Sequence, residues 1–285
     1  MIRGKTIWLV ANAASGSNSD GALAALDAAF GEANCLIDRR LNFHEEGVPS
    51  VDSLRQHGVD VLVVFAGDGT TNAVVTALYG WEGTVLVLPG GTMNILAHRL
   101  HGDAEPAEII SRVAAGRARA TRPTILRSRY GDALSGVLAG PGTAWGDVRE
   151  SLREADVIGT LKGAAEAIGE STGGPKVICR DPLCGRPQGY SAIQLSPMSE
   201  GLAVDGYYVE TLSDYAKQGM ALLRRNFRDG PHDSLGPFPS VRLASPDGDA
   251  MGLLIDGEPA KAAGAEETFT LAPCEVDLLA TADER

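Results

Sequence analysis

The sequence predicts an N-terminal α/β domain on a parallel sheet, followed by a second domain built mainly of antiparallel strands. Three observations carry this reading. Short apolar runs alternate with amphipathic segments from Thr6 to Leu100, and each run ends in a small polar or glycine-bearing loop. The runs are apolar throughout rather than alternating, as in strands covered on both faces. After Arg122 the pattern changes to β-rich stretches such as Lys176–Arg180 and Tyr207–Leu212, punctuated by Asp205-Gly206, Asp247-Gly248 and Asp256-Gly257.

The elements follow in order. Thr6–Ala11 (TIWLVA) reads as a buried strand and Asn12–Asn18 as a loop. Asp20–Phe30 reads as a helix with Leu23, Leu26 and Phe30 on one face. Asp60–Phe65 (DVLVVF) is the next strand and Ala66–Gly69 a glycine turn, with Thr70 as N-cap of a helix carrying Val74, Val75 and Leu78. Thr84–Leu88 is a strand and Pro89-Gly90-Gly91 a turn, after which Thr92 opens a helix with Ile95, Leu96 and Leu100. Val148–Glu170 and Asp214–Arg228 read as helices interrupting the second half. The division expected is an α/β domain over residues 1–122 and a β-rich domain over 123–285, with the C-terminal tail free to pack back on the first.

Composition narrows the function classes. The 285 residues are 44% hydrophobic and 22% charged, which supports a folded core and excludes disorder, collagen and coiled coil as whole-chain descriptions. A net charge of −12 argues against generic binding to nucleic acid. No signal-like or membrane-spanning run is read, so a cytoplasmic location is expected. Cys35, Cys179, Cys184 and Cys274 form no Cys-x-x-Cys pair and read as reduced thiols in or near a core. The histidines form no ligand pattern and read as surface or cap residues.

In a parallel sheet the strand-to-helix loops emerge at one edge, where ligands bind. Ala66-Gly67-Asp68-Gly69-Thr70 places small residues and a helix start where a phosphate chain could lie. A carboxylate in that setting, Asp68, calls for Mg²⁺ between it and phosphate oxygens. An unliganded Asp-Gly turn accounts for the same residues. Pro89–Asn94 repeats the design, with Thr92 and Asn94 as donors, and Asn12–Gly16 is a third, weaker contributor. No P-loop or G-x-G-x-x-G turn is present.

These segments resemble the diacylglycerol kinase catalytic-domain family, which includes bacterial lipid kinases and sphingosine kinases. The resemblance rests on Asn12–Gly16 (family pattern N-x-x-S-G), Ala66–Thr70 (A-G-D-G-T against the family's G-G-D-G-T), Pro89–Asn94 (P-x-G-T-x-N), Asp205-Gly206-Tyr207 and Asp256-Gly257-Glu258, in that order. It implies a nucleotide domain like that of NAD kinases and phosphofructokinases, and a β-rich lipid-binding domain. It implies ATP and Mg²⁺ as cofactors. ATP would be held by Asn12, Ser15, Gly67, Asp68, Gly69, Thr70, Asn72, Thr92 and Asn94. Asp68 and Glu258 would be catalytic, with Glu258 the general base that takes the lipid hydroxyl proton. A structural Mg²⁺ would be held by the Asp205 carboxylate and the Leu202 and Tyr207 carbonyls. Partners implied are ATP, a diacylglycerol-like or sphingoid lipid, a transient membrane surface and a second copy of the chain.

The chain departs from the family pattern at Ala66, Ile95 and Val204, the last two where many members carry an acid, and it has no acid across Thr121–Ile125. Two rivals follow: a soluble small-molecule kinase of NAD kinase type, and a catalytically weakened nucleotide- or lipid-binding protein. Arg112, Arg117, Arg119, Arg122, Arg127 and Arg129 read either as a solvated face or as a patch for anionic lipid headgroups or nucleotide phosphate.

Overall fold

The computed structural model describes residues 2–12, 20–140, 176–207, 232–261 and 264–282. The helices expected over Val148–Glu170 and Asp214–Arg228 lie outside these residues, as does Ser15. The chain divides into two compact units, Met1–Thr124 with Pro273–Arg285, and Ile125–Ala272.

The first unit contains β1 (Ile7–Ala11), α1 (Asp20–Glu32), β2 (Arg39–Asn42), α2 (Phe43–Glu46), α3 (Val51–Gln56), β3 (Val61–Ala66), α4 (Asp68–Ala77), β4 (Thr84–Pro89), α5 (Ile95–His101), α6 (Pro106–Ala114) and β5 (Arg119–Thr121). In the second lie β6 (Thr124–Ser128), β7 (Gly131–Ala133), β8 (Val137–Gly140), β9 (Ile178–Asp181), β10 (Leu183–Cys184), β11 (Ala192–Met198), β12 (Gly201–Tyr207), β13 (His232–Phe238), β14 (Ser240–Ala244), β15 (Gly252–Ile255), β16 (Glu258–Lys261) and β17 (Glu266–Pro273). The last strand, β18 (Asp277–Ala280), returns to the first unit.

The first sheet has the order β2-β1-β3-β4-β18-β5. Every pairing is parallel except β18 with β5. Its central strands are apolar on both faces because both faces are covered. Leu9, Val10, Leu62, Val63 and Val64 are each fully inaccessible to solvent. One face packs on α1 and α6 through Leu26, Phe30, Ile109, Ile110 and Val113. On α6 those three isoleucine and valine positions recur at helical spacing, Pro106 takes the first turn, and Glu108 pairs with Arg112 at i,i+4. The polar β2, Arg39-Arg40-Leu41-Asn42, needs only one apolar side chain because it is the sheet edge.

The second unit holds two six-stranded sheets, β10-β9-β14-β17-β6-β7 and β13-β12-β11-β8-β15-β16. The pairings β10-β9-β14-β17, β6-β7 and β13-β12-β11-β8-β15-β16 are antiparallel. Alternation is clear in β12, where Leu202, Val204 and Gly206 are buried while Ala203, Asp205 and Tyr207 are half-buried. The core gathers Val137, Ala139, Val177, Tyr190, Leu195, Leu202, Val241 and Phe269.

Candidate functional site: a glycine-lined rim and a clamped hairpin

The strand order of the first sheet locates a crevice. From β1 the chain moves outward to β2, then crosses back over β1 to build β3 and β4 on the other side. The reversal lies between β1 and β3, and the loops leaving the carboxyl ends of such strands form ligand crevices. Asn12 follows β1 directly, and Gly67–Thr70 follow β3. Asn12 is 8% exposed, and its Nδ2 donates to Thr70 Oγ1 at 2.9 Å, tying the two loops together.

The β3 and β4 loops touch backbone to backbone. Gly90 N donates to the Ala66 carbonyl at 3.3 Å. A Cβ on Gly91 would stand 2.4 Å from Gly67 Cα, and one on Gly90 would stand 2.7 Å from Ala66 N. Gly90 and Gly91 are therefore required by contact between the turns, whether or not a ligand is near. Gly67 itself would meet only ordinary contact, 3.6 Å, from an added Cβ. Asp68 and Thr92 consequently share one rim.

Both helices start elsewhere than the threonines suggest. The N-cap of α4 is Gly67 in an extended conformation, not Thr70, and no side chain caps that end. α5 begins at Ile95 rather than Thr92. The delay comes from Asn94, whose side chain closes its own turn: Gly91 N donates to Asn94 Oδ1 at 2.7 Å and Asn94 Nδ2 donates to Gly91 O at 2.8 Å. Asn94 sits in the left-handed region at φ +52°, which asparagine tolerates better than most residues. The amide of Leu96, in the first turn of α5, donates to Asp68 Oδ1 at 3.3 Å. Asp68 is thus the first residue of one helix and the anionic partner of the next helix start, both favourable for a carboxylate. Asn72 lies one turn on along α4, on the same face as Asp68, and Thr92 is exposed on the loop crest.

In the second unit, β15 and β16 form a hairpin whose turn is Asp256-Gly257, with Ile255 opposite Glu258. Both turn residues have positive φ, +47° and +83°, the backbone that a two-residue hairpin favours. Glu258 is exposed at the start of β16. Asp256 is the residue that sequence reasoning missed. It is 7% exposed, and its carboxylate accepts three consecutive backbone amides: Leu134 at 2.7 Å, Ser135 at 2.8 Å and Gly136 at 2.9 Å. Its own amide returns a bond to the Gly136 carbonyl at 3.0 Å. The hairpin that presents Glu258 is therefore clamped to the segment entering β8. The Asp-Gly pair was visible as a turn signal, but nothing local marks a partner so distant in the chain.

Leu202, Asp205 and Tyr207 were expected in a metal-binding loop. They lie instead within β12, a strand paired on both sides, with Leu202 opposite Pro197 and Phe238, and Tyr207 opposite Ala192 and His232. The register of β12 against β13 shifts between Val204 and Asp205, so the strand is irregular between Leu202 and Tyr207. Among the described residues no group of three His, Cys, Asp or Glu side chains could hold a metal. The Asp-Gly-Tyr segment also packs closely: a Cβ on Gly206 would come within 2.5 Å of the Tyr190 ring. Tyr190 is buried, its hydroxyl donates to Asp233 Oδ2 at 2.9 Å, and burial followed by that partner pushes its pKa up to about 12. Arg186 bonds the same Asp233 oxygen and holds that carboxyl below its usual range.

The arginine cluster is largely engaged within the protein. Arg112 pairs with Glu108, Arg122 with Asp277, Arg127 with Asp132 and Arg129 with Glu267, while Arg119 donates to the Ala282 carbonyl. These contacts favour the solvated-face reading. His101, expected at the surface, is a core residue at 1% exposure. Its Nε2 lies 3.0 Å from the Val87 carbonyl and its Nδ1 3.0 Å from Thr281 Oγ1. Burial pulls its pKa down to about 4, so it is neutral at physiological pH.

Residues 6–124 match the family model of the diacylglycerol kinase catalytic domain. The crystal structure of a diacylglycerol kinase from Bacillus anthracis str. Sterne superposes with a TM-score of 0.60 at 13% identity, covering 97% of each chain. A second structure from that organism, described as a candidate diacylglycerol kinase, gives 0.58 at 13% identity over 97% of each chain. Another gives 0.57 at 14% identity over 96% of each. At these identities the likeness is one of fold. No curated protein sequence matches the chain. No helix among the described residues is long and apolar enough to cross a membrane.

Proposed function

We propose that this chain, whose residues 6–124 match the diacylglycerol kinase catalytic domain, is an ATP-dependent kinase that phosphorylates a hydroxyl of a diacylglycerol-like or sphingoid lipid. The observation that carries the reading is the joined rim at the β1–β3 reversal, where Asn12, Gly67–Thr70 and Gly90–Asn94 are tied by direct bonds and backbone contact. Phosphoryl transfer asks for positioning and charge neutralisation more than covalent chemistry, and such a rim offers both. The first turn of α4 has no capping side chain, so its amides suit phosphate oxygens. Asn12, Asn72, Thr92 and Asn94 would orient the nucleotide, with Ser15 from the loop after β1.

Asp68 is the one carboxylate the family motifs place at this rim, and that donor set fits a Mg²⁺ ion that arrives with the phosphates rather than in a protein cage. When bound, the ion neutralises charge that develops on the transferred group. Glu258 accepts the proton of the acceptor hydroxyl. Contact with a membrane surface would be transient, the protein would reside in the cytoplasm, and a homodimer is compatible with the reading.

Nucleotide titration with and without Mg²⁺, followed by phosphorylation of extracted lipid with labelled ATP, tests the proposal. Label in a lipid is expected. Label only in a soluble acceptor would favour the NAD kinase type. Nucleotide binding without turnover would favour the weakened binding protein, a reading supported by Asp68 already serving the α5 amide and by the absence of an acid at position 95. Asp68→Ala is expected to remove most turnover with the fold intact, and full activity in that variant would end its role.

A further inference from the structure

We propose that Cys179 and Cys184 form a reversible dithiol–disulfide site that reacts with small-molecule disulfides. β9 and β10 are an antiparallel pair in which Cys184 stands directly opposite Cys179 and Leu183 opposite Arg180. Directly opposed residues in such a pair have Cα atoms about 4.5–5.5 Å apart, whichever kind of ladder position they occupy. That range lies inside the roughly 4.4–6.8 Å window that a disulfide spans. Both side chains project from the same face of the two-stranded segment, as opposed positions do. Both cysteines are free thiols.

The two sulfurs are not equivalent. Cys179 is buried, whereas Cys184 is half-buried and belongs to β10, the edge strand of its sheet. The other two cysteines, Cys35 and Cys274, are both buried in the first unit, so Cys184 is the most open of the four. Burial, with Cys184 as its neighbour, pushes the Cys179 thiol up to about 12, so Cys179 is the less reactive of the two towards a disulfide in solution.

The order of events follows. The Cys184 thiolate attacks one sulfur of a small disulfide, forms a mixed disulfide and releases one thiolate. Cys179 then gives up its proton and attacks the Cys184 sulfur, expelling the second thiolate. The two cysteines lose two electrons and two protons overall, and the small disulfide is reduced to two thiols. The site needs no nucleotide and no lipid, so it stands apart from the proposed kinase function.

The test uses the intact native protein, oxidised glutathione and mass spectrometry. Native protein is expected to lose two of its four thiols and two hydrogens in mass, with dithiothreitol restoring both. Trypsin cuts after Arg180, so the bond joins two peptides that separate on reduction. Cys179→Ser is expected to stop at a stable glutathione adduct on Cys184. Cys184→Ser is expected to slow thiol loss at Cys179 at least tenfold. The proposal fails if native protein accumulates only the adduct, if the bond joins other cysteines, or if Cys179 reacts at an undiminished rate without Cys184.

Discussion

Two aspartate–glycine turns, one in each unit, look alike in sequence and are built for opposite ends. Asp68-Gly69 opens a helix at the β1–β3 reversal; its carboxylate is half-buried and accepts from the Leu96 amide at 3.3 Å. Asp256-Gly257 closes a hairpin; its carboxylate is buried and gathers three amides at 2.7–2.9 Å. An anion saturated by short bonds to rigid backbone is a structural anchor. One half-buried at a loop edge, with its amide contact at 3.3 Å, is less tightly enclosed. The residue to follow in the second motif is therefore the glutamate after the turn, and in the first the aspartate itself.

Substitutions can break that contrast. Glu258→Gln is expected to lower kcat by about 10²–10⁴-fold while denaturant unfolding stays within about 0.5 kcal/mol of the parent, because the side chain is exposed and proton transfer needs its charge. Asp256→Ala is expected to cost about 3 kcal/mol or more by urea unfolding, since it leaves three buried amides without their acceptor. An Asp256→Ala protein as stable as its parent would remove the anchor from the comparison.

Acidification offers a third probe, at the end of α5 where His101 packs against β4. His101 is neutral in the fold with its pKa near 4, below the ordinary value of 6.5, so the unfolded chain binds the proton more readily. Its contribution is intact above pH 6.5 and is lost as the pH falls toward 4. Each tenfold difference in proton affinity between folded and unfolded chain is worth roughly 1.36 kcal/mol, which brings the loss to about 3 kcal/mol. The parent should lose that much more stability between pH 7 and pH 4 than His101→Gln, and parallel pH curves would contradict it.

Gly91→Ala is expected to cost about 1–3 kcal/mol and to weaken nucleotide binding, because the methyl group meets the Gly67 backbone. Unchanged stability would mean the two turns can part without penalty. The smallest effect expected is that of Arg117→Glu, a change of exposed charge that should leave vesicle binding unaltered, in keeping with its neighbours' internal pairing.

What could be read beforehand was whatever short-range patterning decides. Leu62–Phe65 and Val85–Leu88 announce buried strands because consecutive apolar residues have no other place in a parallel sheet. The glycine turns were legible for the same local reason, and so was the hairpin at Asp256-Gly257. The helix starts were not, because Asp68 meets Leu96 across a gap of 28 residues and Asn94 folds its side chain back on Gly91. The polar edge strand β2 carries no apolar run to betray it. Nor could one carboxylate at Asp205 reveal that its neighbours continue a strand rather than enter a loop, since that depends on β11 and β13 lying on either side. Asp256 hid its role because its amide partners come 120 to 122 positions earlier.

The position of β18 between β4 and β5 has a consequence for the order in which the molecule can be made. A ribosome delivers β1 to β4 early, yet the slot beside β4 stays open until Leu278 and Leu279 emerge. Throughout synthesis the unfinished sheet exposes an unpaired apolar border, the kind of surface on which nascent chains stick to one another. A fragment ending near residue 122 would carry that open border permanently, so the N-terminal half should be recovered as soluble protein only when the final strand is supplied, in cis or as a peptide.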